Sequence, residues 1–168
     1  MKPGDHPEFF RLPPPPGASR DSTIVLDAEG RFFHDGGLVE KKALADAMHW
    51  WLAVHPDDGR FILTNGYDWC YLTVEGTPAF VVSVKGEPPG PPVLVLADGT
   101  EEPLDPGALA ADAEGACFTR VKGGRFEARF LRHAQTGLAP WLVEPDHEGA
   151  PFRVEIAGRV FDIGPRPQ

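Results

Sequence analysis

His34-Asp35-Gly36-Gly37-Leu38-Val39-Glu40-Lys41-Lys42-Ala43-Leu44 is echoed later in the chain by Val121-Lys122-Gly123-Gly124-Arg125-Phe126-Glu127-Ala128-Arg129-Phe130-Leu131. In each stretch a strand-like run meets a Gly-Gly breaker and an apolar stripe at helical spacing follows. A later glycine, Gly59 or Gly149, then leads into an alternating strand that contains Phe. The pair reads as an internal duplication: an α+β fold of two repeats, each with a mostly antiparallel sheet and one principal helix. Two related halves create a seam, and ligands often sit in seams.

Working outward, Thr23-Ile24-Val25-Leu26, the turn Asp27-Ala28-Glu29-Gly30 and Arg31-Phe32-Phe33 predict a β-hairpin. From Leu38 to Val54, Val39, Ala43, Leu44, Ala47, Trp50, Trp51 and Val54 share one helical stripe, with Lys42, Asp46 and His49 opposite. Strands follow at 60–63, 70–74 and 80–84. A second hairpin turns at Ala97-Asp98-Gly99, and Pro103 confines its return strand to a sheet edge. Cys117-Phe118-Thr119-Arg120-Val121 leads to a second helix over 125–142, which Pro140 should bend or end. Phe152-Arg153-Val154-Glu155-Ile156 and Val160-Phe161-Asp162-Ile163 close the fold. The breaker-rich residues 88–92 divide a first repeat, 22–87, from a second, 93–164. A Pro-rich tail, 1–21, precedes them, and 165–168 trail. The tail should be extended or loosely docked, with Phe9, Phe10 and Leu12 as its pins.

The 168 residues are 42% hydrophobic and 24% charged, a globular composition. A net charge of −9 opposes binding to polymeric nucleic acid, which needs clustered Lys and Arg. Neither a long apolar run nor a charged-then-apolar leader is read, so a cytoplasmic protein without a membrane partner is expected. Cys70 and Cys117 lack C-x-x-C spacing and read as buried reduced thiols. No Walker loop, dinucleotide fingerprint, G-x-S-x-G elbow or zinc spacing occurs, and no cofactor or metal is expected.

Four features carry candidate chemistry, each with a structural alternative. Arg125, Arg129 and Arg132, at i, i+4 and i+7 beside Arg120, Lys122 and His133, form either a solvated helix face or an anion site. His34 and Asp35 form either an oriented imidazole or a turn. Trp69 and Tyr71 share a strand face, as a stacking platform or as core, while Trp50, Trp51 and Trp141 read as core. Glu40 and Glu127 occupy matching places in the two proposed helices, where N3 capping competes with a ligand role.

The order of blocks resembles the bacterial family named domain of unknown function 1285. The resemblance lies in Gly30-Arg31-Phe32-Phe33-His34-Asp35-Gly36, Asp58-Gly59-Arg60-Phe61-Ile62-Leu63-Thr64 and Val74-Glu75-Gly76-Thr77-Pro78-Ala79-Phe80-Val81. Glu127-Ala128-Arg129 with Arg132, and Gly158-Arg159-Val160-Phe161-Asp162-Ile163-Gly164, are similar to later blocks. It implies a duplicated α+β core with a pleckstrin-homology-like C-terminal half, a nucleotide-based ligand at the seam and a role in signal transduction. The chain departs from the family pattern at Gly36-Gly37-Leu38-Val39-Glu40-Lys41, which lacks its Pro and Arg, and at Thr64-Asn65-Gly66-Tyr67, which lacks its Pro and Glu. Residues and resemblance together suggest a non-catalytic ligand-sensing or regulatory protein. Its ligand would be small, anionic and nucleotide-like, held at the seam by His34, Asp35, Trp69, Tyr71, Arg125, Arg129 and Arg132. A peptide- or protein-interaction module is the alternative. A small hydrolase using His34 or His133 is a third reading.

Overall fold

The computed structural model describes residues 1–168, which divide into two compact units, Met1–Pro78 and Ala79–Gln168. The fold is α+β, with two short α-helices and mostly antiparallel strands.

The first unit begins with the expected hairpin, β1 (Val25–Leu26) against β2 (Phe32–His34), paired Val25↔Phe33 and Leu26↔Phe32. The Asp27 carboxylate closes its turn by accepting from the N–H groups of Glu29 and Arg31 and from the Arg31 guanidinium at 2.8 Å. Strand β2 then turns through Asp35-Gly36, both at positive φ, into β3 (Gly37–Leu38). An Asp-Gly pair between paired strands is the sequence that a tight two-residue hairpin requires. Gly37 therefore lies in a strand and caps no helix.

Helix α1 (Lys42–Trp51) is shorter than the expected 38–54, and Glu40 precedes it instead of occupying N3. Its inward stripe is Ala45, Met48 and His49: Met48 is buried, and His49 packs edge-on against Phe32 at 4.7 Å. Trp50, expected in the core, is 62% exposed, and Leu44 is exposed as well. The helix ends when Leu52 turns extended and β4 (Leu52–Val54) pairs with β5 (Phe61–Thr64), which pairs in turn with β6 (Trp69–Tyr71). Tertiary pairing thus overrides helical propensity at Leu52, where the β5 partner Leu63 is buried. Strand β7 (Thr73–Val74) returns parallel to β1, giving sheets ordered β3-β2-β1-β7 and β4-β5-β6.

The second unit opens with β8 (Ala79–Lys85), which pairs antiparallel with β9 (Val93–Leu96) and parallel with a later strand. The expected boundary at 88–92 is therefore a connection within one sheet. It is stitched there by Trp141 Nε1–H donating to the Gly90 carbonyl at 2.8 Å and by the Ala157 N–H on the Pro89 carbonyl. Strand β10 (Glu101–Pro103) pairs with β9 at the sheet edge, where Pro103 needs no ladder donor. Next come β11 (Ala110–Ala111) and β12 (Cys117–Val121), and β13 (Phe126–Phe130) pairs antiparallel with β12 and parallel with β8.

Residues 126–130 correct the second helix. Phe126, Ala128 and Phe130 are buried, with Glu127 and Arg129 between them, which is strand alternation. Lys122, Gly123 and Gly124 all take positive φ in the β12–β13 turn. The two Gly-Gly stretches therefore build different structures, so the echo does not mark equivalent elements. Helix α2 (Arg132–Gly137) is a short element that lays Ala134 and Leu138 inward and brings Gly137 against Val84. Pro140 falls in the 3-10 turn Ala139–Trp141 that follows it.

Strands β14 (Leu142–Val143), β15 (Arg153–Ile156) and β16 (Arg159–Asp162) form a small antiparallel sheet. Strand β17 (Gly164–Pro165) runs parallel to β11 and completes the order β10-β9-β8-β13-β12-β11-β17. The core of this unit is Phe80, Val81, Leu94, Val121, Phe130 and Leu138, each at most 2% exposed. Complete burial of side chains of this size stabilises by about 1.5–3 kcal/mol each. No helix is long and apolar enough to cross a membrane.

Candidate binding site in the first unit

Strand alternation puts Trp69 and Tyr71 on one face of β6, as expected, and their rings meet edge-on at 5.1 Å. They do not form an open platform. Trp69 is 6% exposed and packs with His55 at 5.0 Å and Phe10 at 5.9 Å, while the Arg20 guanidinium sits 4.5 Å from its ring centroid. Tyr71 stacks on His55, lies beneath Arg60 at 3.8 Å and donates its hydroxyl to Asp58 at 2.7 Å. That hydrogen bond raises the Tyr71 pKa and lowers that of Asp58.

The cover over these rings is the N-terminal segment. Its prolines initiate two 3-10 turns, Pro3–Asp5 and Pro7–Arg11, instead of a wholly extended run. Arg11 holds Asp57 through two nitrogens at 2.9–3.3 Å and lowers the Asp57 pKa by its hydrogen bonds. Arg20 binds Asp68 at 2.7 Å, and the Gly4 N–H reaches the Gly66 carbonyl at 2.8 Å. Buried His55 joins the segment to the β4–β5 turn: Nδ1 accepts from the Asp57 N–H, and Nε2 lies 3.1 Å from the Phe10 carbonyl. These contacts assign His55 the tautomer protonated at Nε2. Phe10 is one of the pins expected from the sequence, whereas nothing in the sequence marks Arg20 or His55 for this role.

Behind Trp69 the same unit opens a cleft of about 290 Å³. Ile24, Val39, Met48, Trp51 and Leu63 give it an apolar wall, and His34, Thr64, Asn65 and Asp68 supply polar groups. Of the expected site residues, His34 and Trp69 line this cleft. Asp35 sits in the turn beside it. Its carboxylate is 3.6 Å from His34 Nε2 and accepts the Thr23 hydroxyl at 2.6 Å, so the pair meets because it lies in a turn.

The donors of the cleft are unevenly satisfied. Thr64 Oγ1 donates to the Asp68 carbonyl and accepts from the Gly66 N–H, while Asn65 Oδ1 accepts from the N–H groups of Tyr67 and Asp68. Asp68 is neutralised by Arg20. The Trp69 indole N–H is buried with no acceptor in the protein. A donor left that way costs about 1–3 kcal/mol, so an unpartnered one on a residue that lines a cleft needs a reason. Cys70, also in the wall, is a free thiol whose pKa is raised chiefly by burial, which disfavours the nucleophilic thiolate. No group of three His, Cys, Asp or Glu side chains is placed to hold a metal ion.

The remaining expected residues belong to the second unit and do not share a helix face. Arg125 is exposed and lies over Phe126 at 5.1 Å, Arg129 projects from β13 near Phe118, and Arg132 opens α2 with exposed His133 beside it. Glu127 accepts both arms of Arg166 at 2.7 and 3.0 Å, a strand-borne ion pair in place of the expected capping role. Their three-to-four spacing acquires no helical meaning inside a strand and its flanks.

Two solved structures share this architecture. A DUF1285 family protein from Silicibacter pomeroyi DSS-3 matches with a TM-score of 0.65 at 19% identity, over 92% of this chain and 84% of that one. A DUF1285 family protein from Shewanella baltica OS155 matches with a TM-score of 0.52 at 16% identity, over 68% of this chain and 87% of that one. No family model and no curated protein matches the chain. The chain has the fold of the DUF1285 proteins.

Proposed function

We propose that the chain is a non-catalytic ligand-sensing or regulatory protein, and that its small-molecule site is the cleft of the first unit. The carrying observation is that Trp69, whose buried indole N–H has no protein acceptor, is one of the residues lining that cleft. A ligand oxygen there would supply the missing acceptor. His34 and the Asn65 amide add donors, and the carboxylate of Asp68 is already paired with Arg20, so the cleft favours a molecule rich in acceptors, including an anion. Its volume equals that of about ten liquid waters, which suits one ring with its acceptor group better than a whole nucleotide. The raised Cys70 pKa supports binding over nucleophilic chemistry.

Thermal-shift screening of aromatic carboxylates, free nucleobases and nucleoside monophosphates, followed by calorimetry of any hit, tests this reading. Replacing Trp69→Phe deletes the donor together with part of the ring, and placing benzothienylalanine at position 69 deletes the donor while keeping the bicyclic shape. We expect ring-sized acceptors to bind the wild type and to weaken about tenfold in the benzothienylalanine variant, the loss of one buried hydrogen bond. Absence of any hit, or a hit indifferent to Trp69→Phe, would count against this site.

A further inference from the structure

The second unit carries a cleft of different chemistry, about 670 Å³ in volume and well inside the range of small-molecule sites. Leu138 and Ile163, both buried, line it, and Leu142 and Phe152 add apolar groups that are 41% and 57% exposed. Large apolar side chains left in water beside a cavity gain from being covered.

The charged groups that line this cleft, Asp112 and Asp162, are of one sign. Gln135 is internally satisfied: its Oε1 accepts from the Cys117 N–H and its Nε2 donates to the Gly115 carbonyl, both at 2.9 Å. Asp112 uses Oδ1 to accept from the N–H groups of Glu114 and Ala116. Asp162 makes no ion pair. Arg153, its partner across the β15–β16 ladder, is instead held by Asp146 at 2.8 Å and the Glu144 carbonyl at 3.3 Å. Arg166, whose N–H bonds the Ala111 carbonyl, directs its guanidinium to Glu127 and lies close enough to Asp112 to feel its charge, which leaves Asp162 as the carboxylate farthest from any counterion. No Lys, Arg or His lines the cleft.

We propose that this cleft binds a small organic cation with an apolar body, an ammonium drawn to Asp162 and Asp112 and a hydrocarbon part covering Leu138, Leu142 and Phe152. Two carboxylates without a lining cation attract an ammonium and repel an anion, and the face of the exposed Phe152 ring offers a cation a further favourable surface. This inference is independent of the site in the first unit.

Calorimetry on the full chain with phenylbutylamine, phenylbutanol and phenylbutyrate separates charge from shape. The amine should bind about tenfold more tightly than the alcohol, and the carboxylate should not bind. Asp162→Asn, at an exposed position without a side-chain partner, should bring the amine down to the level of the alcohol. Ala113→Trp, which fills the cleft from an exposed lining position, should abolish both. On a Cys70→Ala background, saturating amine should slow alkylation of Cys117, which lies in the cleft wall. Equal affinity for amine and alcohol, binding that survives Ala113→Trp, unslowed alkylation, or no amine binding to folded protein at millimolar concentration would each overturn the proposal.

Discussion

The two units reach stability by different routes. The first hides few large side chains completely, Leu26, Phe32 and Ile62, and relies on polar and ring contacts from its own N-terminal segment. The second threads Phe80, Val81, Leu94, Val121, Phe130 and Leu138 through a seven-stranded sheet and its short helix. A core built from fully buried apolar groups resists local opening, whereas one closed by a strap of ion pairs and a half-buried Phe opens at lower cost. Their clefts differ as well: the first is lined by Trp69, whose indole N–H has no acceptor, and the second by two carboxylates and no cation.

Phe130→Ala should be the most damaging single change, destabilising the second unit by about 3–5 kcal/mol through lost transfer energy and a cavity at a side chain 2% exposed. Denaturant unfolding measures it, and a loss under 1 kcal/mol would break the contrast drawn between the units. Phe10→Ala should cost about 1–3 kcal/mol, because its ring is only half buried against His55 and Trp69. Hydrogen exchange should then rise at Ile62 and Tyr71 while Val81 and Leu94 stay protected; uniform loss of protection would show that the strap serves the whole chain.

Acid provides a subtler probe. Burial pushes the Asp98 pKa up, but hydrogen bonds from Lys122 and Thr100 outweigh it, and the folded value lies below the usual carboxylate range. A depressed carboxylate contributes stability above its unfolded pKa, near 4, and that contribution disappears as pH falls through the lower folded value. Asp98→Asn should therefore cost about 1–2 kcal/mol at neutral pH and progressively less below about pH 4, a convergence that denaturant curves at several pH values would test. The smallest effect belongs to Lys42→Ala, which removes an exposed i, i+4 pair with Asp46 and should cost about 0.3–0.5 kcal/mol. A larger loss would mean that α1 leans on that pair more than on Met48.

The hairpins were legible because their signals are local. Asp27 through Gly30, Asp98-Gly99 and edge Pro103 each state their geometry within a few residues. The second helix was misread because Phe126, Phe130 and Leu131 satisfy a helical stripe while Phe126, Ala128 and Phe130 also satisfy strict alternation. The winner is set by β8 and β12, which flank β13 on both sides and are distant in sequence. Asp35-Gly36 was available as a hairpin signal and was outweighed by the Gly36-Gly37 echo. His34 and Trp69 were legible as candidates by residue type. Their shared cleft was not, since it depends on α1, β5 and β6 meeting around Met48 and Leu63. The docking of the N-terminal segment is legible in Phe10, but its ion pairs are not, because Pro-rich composition reports the lack of ladder donors and says nothing of Arg11 finding Asp57 or Arg20 finding Asp68.

The central claim is that the Trp69 indole N–H is a donor held ready for a ligand. Indole resonances in a proton–nitrogen correlation spectrum, assigned through Trp69→Phe, read that atom directly during titration with a hit from the ring-sized acceptor panel. The account predicts that the Trp69 indole proton moves downfield and exchanges more slowly with solvent as the acceptor binds, while the Trp141 indole, already bonded to Gly90, stays in place. An unmoved Trp69 resonance at saturation by a ligand that does bind would contradict it.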